Sequence, residues 1–106
     1  DNIDESARVP GLDAILIGPG DLSLSRGIPG QTGHPDVRDA ISKMLRAVKR
    51  SGIAGGTHTG RNTKEIAEWV EQGATFMAVT TDSSLLYEIS AATVGETRDL
   101  LGDRLL

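Results

Sequence analysis

Four consecutive aliphatic residues, Ala14-Ile15-Leu16-Ile17, lie between Gly11 and Gly18, and a polar turn, Gly18-Pro19-Gly20-Asp21, follows at once. A run this short is a strand rather than a helix, and its lack of alternation implies apolar cover on both faces, as in a parallel sheet. Helical periodicity takes over downstream. Val37, Ile41, Met44, Leu45 and Val48 fall at i, i+4, i+7, i+8 and i+11 and form one apolar stripe. Pro35 suits the first position of that helix, Lys49 and Arg50 complement its C-terminal dipole, and Gly52 is placed to end it. The same alternation continues to the end of the chain. Residues 53–57 read as a second strand, with Gly55 and Gly56 within it. Asn62 caps a helix with Glu65 at capping-box spacing; Ile66, Trp69 and Val70 form its apolar face, and Gly73 stops it. A third strand begins at Phe76. Asp82 or Ser83 then caps a last helix carrying Leu85, Leu86, Ile89 and Ala92, in which Gly95 is a weak point. Leu100 and Leu101 either continue that helix or form a separate one. Upstream, Asp1 to Val9 read as the end of a helix stopped at Pro10-Gly11, and Asp21 to Ser25 as one short helical turn.

Strands that alternate with helices imply right-handed crossovers and a parallel sheet. The expected class is α/β, with parallel strands near 13–17, 53–57 and 76–80. Three such strands make a poor complete domain, because two of them would be edges with unpaired backbone groups. A barrel of eight βα units takes about 250 residues; the 106 residues here would supply three of the eight. The chain opens without methionine in what reads as mid-helix sequence, which points to a piece of a larger domain.

Composition narrows the function. Trp69, Phe76 and Tyr87 are the only aromatic residues, so the core must be aliphatic. Eleven basic residues against 15 acidic ones give a formal charge of −4, which argues against a nucleic-acid grip. No apolar run approaches the roughly 20 residues of a membrane span. The absence of cysteine removes disulfides, thiol nucleophiles and thiolate metal sites, and fits a reducing cytoplasm.

In parallel α/β folds, chemistry sits at the C-terminal ends of strands. Those ends carry Gly18-Pro19-Gly20-Asp21, Thr57-His58-Thr59-Gly60 and Thr80-Thr81-Asp82-Ser83-Ser84, three polar clusters expected on one rim. Asp21 is the sharpest candidate. Glycines beside it let backbone N–H groups approach an anion, while its carboxylate could instead bind a hard divalent cation or simply cap the next turn. His58 reads as a ligand, a proton carrier or a loop histidine, and His34 as a cap or loop residue before Pro35. The Asp82 cluster is most simply a helix start, open to an anionic group. Arg26 and Arg61 follow strand-end loops, as solvated residues or as partners for a carboxylate or phosphate. Trp69 belongs to the core. No Walker-type loop or serine–histidine–aspartate pattern is present.

The segment from Val9 to Ser23, VPGLDAILIGPGDLS, resembles the hallmark of the metal-dependent 2-oxo acid aldolases, the 4-hydroxy-2-oxoheptanedioate and 2-dehydro-3-deoxyglucarate aldolases related to citrate lyase β subunits. Gly33-His34-Pro35, Gly73-Ala74 and Asp82-Ser83-Ser84-Leu85-Leu86 follow in that family's order. The resemblance implies the last three βα units of a (β/α)8 TIM barrel, as a single partial domain over residues 1–106. It implies a carbon–carbon lyase that joins or cleaves pyruvate and an aldehyde through a metal-stabilised pyruvate enolate. Asp21 would be a metal ligand for Mg²⁺, Mn²⁺ or Co²⁺, and Gly18, Gly20, Asp21 and His58 would contact the 2-oxo acid substrate. A homo-oligomer, hexameric by resemblance, is implied as well. The chain also departs from the family pattern. The partner glutamate is expected just before residue 1, and the catalytic arginine and histidine earlier still, so residues 1–106 are expected to be inactive alone. Gly20 stands where many members have alanine, and Gly55 to Gly60 replace a more apolar loop, with consequences for aldehyde specificity. The alternative is a non-catalytic, incomplete barrel that binds an anion or a partner.

Overall fold

The computed structural model describes residues 2–104. Its elements run α1 (Ile3–Ser6), β1 (Ala14–Ile17), α2 (Pro19–Ser25), α3 (Pro35–Ser51), β2 (Ala54–Thr59), α4 (Thr63–Glu71), β3 (Ala78–Val79) and α5 (Asp82–Leu101), with a 3₁₀ turn over Gly102–Arg104. The strands form one parallel sheet in the order β1-β2-β3. Ala14 to Ile17 pair with Ala54 to Thr57, and His58 and Thr59 pair with Ala78 and Val79.

The core lies between this sheet and α3. Val37, Ile41, Met44, Leu45 and Val48, the residues of the apolar stripe, are all buried. Pro35 opens the helix, and Gly52 closes it at φ 72°, a left-handed conformation that glycine adopts without steric cost. Ile53 N–H then donates to the Val48 carbonyl, so this residue belongs to the helix cap and β2 starts one residue later than the pattern implied. The two glycines of β2 permit close packing on either side. A Cβ on Gly55 would lie 2.3 Å from Val48 Cγ2, and one on Gly56 would lie 1.4 Å from the Phe76 carbonyl oxygen. Trp69 is buried, as expected of a core residue, with the Arg38 guanidinium 4.5 Å above its ring.

Several expectations need correction. The third strand spans two residues, not 76–80. The N–H groups of Thr75 and Phe76 both converge on the Gly55 carbonyl, so the chain bends there instead of laddering. Thr80 leaves the strand at φ 57°, an unusual conformation for a β-branched residue, with its N–H bonded to the Thr59 carbonyl at 2.8 Å. β2, conversely, continues to Thr59, because β3 pairs with its far end. The strands are not covered on both faces. Leu16, paired with Gly56 on the face away from α3, is 42% exposed, and Val79, paired with Thr59 on the α3 side, is 45% exposed because α5 does not fold back over it. Val70 is exposed too, because α4 turns Trp69 rather than Val70 toward the core. The first helix is confined to Ile3–Ser6, and Asp1 lies outside the described residues. Thr81, not Asp82 or Ser83, caps α5, its hydroxyl accepting from Ser84 N–H; Gly95 does not interrupt the helix, which runs on through Leu100 and Leu101.

Candidate functional site

β1 ends at Ile17, and the next residue, Gly18, is extended and caps α2. Pro19 occupies the first helical turn, where its missing N–H costs nothing, and Asp21 follows in the same turn. The Asp21 carboxylate folds back over the strand end. A Cβ on Gly18 would sit 2.9 Å from Asp21 Oδ2, so the bare backbone at Gly18 makes room for that oxygen. Gly20 differs, since a Cβ there would meet nothing within 4 Å and alanine fits.

A hollow of about 440 Å³ opens beside this turn. The segment Gly18 to Asp21 forms one wall, His58, Thr59 and Gly60 form the facing wall, and Thr32 and Glu65 complete it. Asp21 is exposed in the hollow and His58 half-buried. His58 is a strand residue, paired with Ala78, rather than a loop residue. Parallel pairing of β1 and β2 therefore sets Asp21 and His58 across one open space at the C-terminal end of the sheet.

Buried hydroxyls hold these walls in place. Ser23 Oγ donates to the Gly20 carbonyl at 2.7 Å and accepts from Gly30 N–H at 3.1 Å, tying α2 to the loop that leads to α3. Thr57 Oγ1 donates to the Ile17 carbonyl at 3.0 Å and fixes the last residue of β1. Asn62 Oδ1 accepts from the N–H groups of Lys64 and Glu65, each at 3.2 Å, and sets the start of α4. The Glu65 carboxylate does not close a reciprocal capping box. It accepts from Trp69 Nε1 at 3.4 Å and lies 3.7 Å from Arg38 Nη1, at the back of the hollow. Thr59 Oγ1 is the exception to this bonding. It is buried and, among the described residues, has no hydrogen-bond partner.

The other candidates lie elsewhere. His34 caps α3, its Nδ1 accepting from Asp36 N–H at 3.2 Å. Arg26 lines a separate depression between α1, α2 and α3, and Arg61 pairs with Glu88 at 3.2 Å. The Thr80 to Ser84 cluster shares the C-terminal end of the sheet but does not line the hollow. Two of the three expected clusters thus meet. Ser23, Thr57 and Thr59 were missed by sequence reasoning, because their roles depend on which carbonyl lies across the strand or loop. The repeated hydroxyls in Thr57-His58-Thr59 were the available signal.

An exposed carboxylate beside open space suits a hard divalent cation. Among the described residues no group of three or more His, Cys, Asp or Glu converges as a ligand cluster. Asp21 has the chemistry of such a ligand, and the other ligands a cation needs are not gathered around it by the described residues. No described helix is long and apolar enough to cross a membrane.

Residues 1–88 match the profile of the HpcH/HpaI aldolase/citrate lyase family. The chain belongs to this family. Among curated relatives, a hydroxypyruvate/pyruvate aldolase of Sagittula stellata is 39% identical over 84 residues, covering 79% of this chain and 33% of that protein. A 4-hydroxy-2-oxovalerate aldolase of Rhodococcus jostii is 38% identical over 92 residues, covering 86% and 35%. The chain therefore spans about a third of the length of these relatives. Its fold superposes on the crystal structure of an HpcH/HpaI aldolase from Desulfitobacterium hafniense with a TM-score of 0.89 at 36% identity, covering 95% of this chain and 39% of that one. The citrate synthase SbnG matches with a TM-score of 0.84 at 31% identity, covering 92% and 39%. The α/β fold with a three-stranded parallel sheet is thus shared with the family's known structures.

Proposed function

We propose that this chain works within a carbon–carbon lyase that cleaves a 4-hydroxy-2-oxo acid to pyruvate and an aldehyde, and runs the same reaction in reverse. The observation that carries the reading is the Asp21 carboxylate, folded over Gly18 at the mouth of the hollow with His58 opposite. Family membership supplies the reaction class.

In this reading Asp21 is one ligand of a divalent cation such as Mg²⁺, Mn²⁺ or Co²⁺. When bound, the ion supplies Lewis-acid stabilisation of negative charge on the 2-oxo acid. The chain's own residues bind and orient. Gly18 leaves space for the Asp21 oxygen, and the first-turn N–H groups of Gly20 and Asp21, which have no place in the helical ladder, are the donors proposed for the substrate carboxylate. His58 flanks the substrate from β2, and its imidazole offers one donor and one acceptor when neutral. Thr57 and Ser23 keep both walls at fixed spacing through their bonds to Ile17 and Gly20.

The same reading makes these residues the last three βα units of a (β/α)8 barrel. The exposed sheet face at Leu16 supports it, because closure by further strands would bury this side chain. Those further strands would supply the second metal-ligating carboxylate and the proton-transfer group, and residues 1–106 alone would be inactive. Exposed apolar residues on α5, including Leu86, Tyr87 and Leu100, support a homo-oligomer. The proposed location is the cytoplasm.

The test is pyruvate release from a panel of 4-hydroxy-2-oxo acids by the full-length protein, stripped of metal and then given Mn²⁺. Release that depends on the cation and stops with chelator is expected. No release with any substrate or cation would favour a non-catalytic, anion- or partner-binding barrel.

A further inference from the structure

Among the described residues the chain places glycine wherever the backbone takes a positive φ, with one exception, Thr80 at φ 57°. A β-branched residue enters this left-handed region at an energetic penalty and has little room within it, whereas glycine enters freely and ranges widely. Such strain persists only where the surroundings over-determine the conformation, and it clusters at functional sites.

The surroundings of Thr80 lead back to the hollow. β3 has only two residues in the ladder, so its place on β2 depends on the bonds at its two ends. At one end the N–H groups of Thr75 and Phe76 share the Gly55 carbonyl; at the other, Thr80 N–H donates to the Thr59 carbonyl at 2.8 Å. Thr59 and Gly60 belong with His58 to the wall that faces Gly18 to Asp21. Beyond Thr80 the chain is extended at Thr81, which caps α5 by accepting from Ser84 N–H at 3.2 Å. α5 then reaches back to the same wall, because Glu88 pairs at 3.2 Å with Arg61, the residue after Gly60. One segment therefore holds this wall from two sides, and the turn at Thr80 sets the direction of that segment.

We infer that Thr80 is a positioning residue, whose restricted left-handed backbone fixes the end of β2 and so holds His58 in place across the hollow from Asp21. The inference rests on the aldol reading above for what that wall does. Thr80 acts through the Thr59 carbonyl and touches no reacting atom. Glycine at this position would relieve the strain and free the turn together, so stability and order should move in opposite directions.

The experiment compares the full-length protein with Thr80→Gly and Thr80→Val in thermal melting, amide hydrogen exchange over residues 58–61, and Mn²⁺-dependent pyruvate release. Thr80→Gly should melt at or above the parent temperature while residues 58–61 exchange about two- to fivefold faster. Its kcat should fall by about tenfold or more, as expected when a wall of a reacting site is misplaced. Thr80→Val keeps the β-branch without the hydroxyl and should restore the parent exchange and kcat. A lower melting temperature in Thr80→Gly would show that threonine is not strained there. Unchanged exchange or unchanged kcat would show that the wall does not depend on it. Thr80→Val behaving like Thr80→Gly would assign the effect to the hydroxyl. Each of these results overturns the inference and leaves the aldol reading standing. A parent protein that releases no pyruvate overturns the aldol reading instead, and amide exchange in Thr80→Gly then decides on its own whether Thr80 fixes the wall.

Discussion

Helices α3 and α5 carry similar apolar content and meet opposite fates. In α3 the stripe from Val37 to Val48 faces the sheet and is sealed, with Val37 and Met44 at 0% exposure. In α5 no residue is buried, and Leu86 and Leu100 are 71% and 78% exposed. The difference comes from what stands opposite each helix. The β1–β2 pair, with Gly55 stripped of a side chain, gives α3 a surface it can approach closely. α5 leaves β3, a strand of two residues, and no sheet surface among the described residues receives it. The two helices also differ in pattern: α3 gathers its apolar residues on one stripe, whereas α5 spreads them around its circumference and presents no single face for a sheet to cover.

The same kind of truncation at the two helices breaks or sharpens that contrast. Ile41→Ala removes a fully buried side chain whose surroundings relax only in part, and should cost about 2–5 kcal/mol in urea unfolding. A loss under about 1 kcal/mol would mean that the α3–sheet interface is not the stabilising core. Thr57→Val keeps the volume but deletes the hydroxyl bonded to the Ile17 carbonyl, and should cost about 0.5–1.5 kcal/mol, the net worth of one hydrogen bond. Leu86→Ala should stay within about 0.5 kcal/mol if α5 is bare. A larger loss that grows on dilution would show that a partner covers α5. The smallest effect belongs to the exposed Asp4–Arg50 pair joining α1 to α3. The hydrogen bond from Arg50 holds the Asp4 carboxyl below its ordinary 3.8. A depressed carboxylate stabilises above its unfolded pKa and loses that contribution as pH falls through the folded value. Arg50→Gln should therefore unfold slightly earlier than the parent at pH 6, and the gap should narrow as the pH falls below 3.8; a gap that does not narrow in acid would assign the effect to packing.

Much of this architecture was legible in the chain itself. The α3 stripe, its start at Pro35 and stop at Gly52, the Asn62 cap and the alternation of strands with helices all follow from local patterns, and the structure carries them as expected. The place of Asp21 beside a strand-end turn was legible from the local pattern, but its role was not, because a carboxylate there can equally cap a helix. What escaped depends on distant pairing. Nothing near Phe76 signals that Thr75 and Phe76 would both bond the Gly55 carbonyl and shorten β3. The loss of cover at Leu16 could not be read from an all-apolar run, which describes what a strand requires and not what it finds. Thr59 looked like one more polar loop residue until β2 was seen to extend through it with its hydroxyl unmet.

The central claim is that the Asp21 carboxylate is a cation ligand at the mouth of the hollow. Its most direct test is Mn²⁺ affinity and pyruvate C3 proton exchange, measured side by side on the full-length protein and on Asp21→Asn. Outer partners of metal ligands alone are worth about 10–100-fold, so losing a direct ligand should lower both readouts by about a hundredfold or more while the circular dichroism spectrum stays unchanged. Asp21→Asn protein that binds Mn²⁺ and exchanges pyruvate protons as well as the parent would contradict the account.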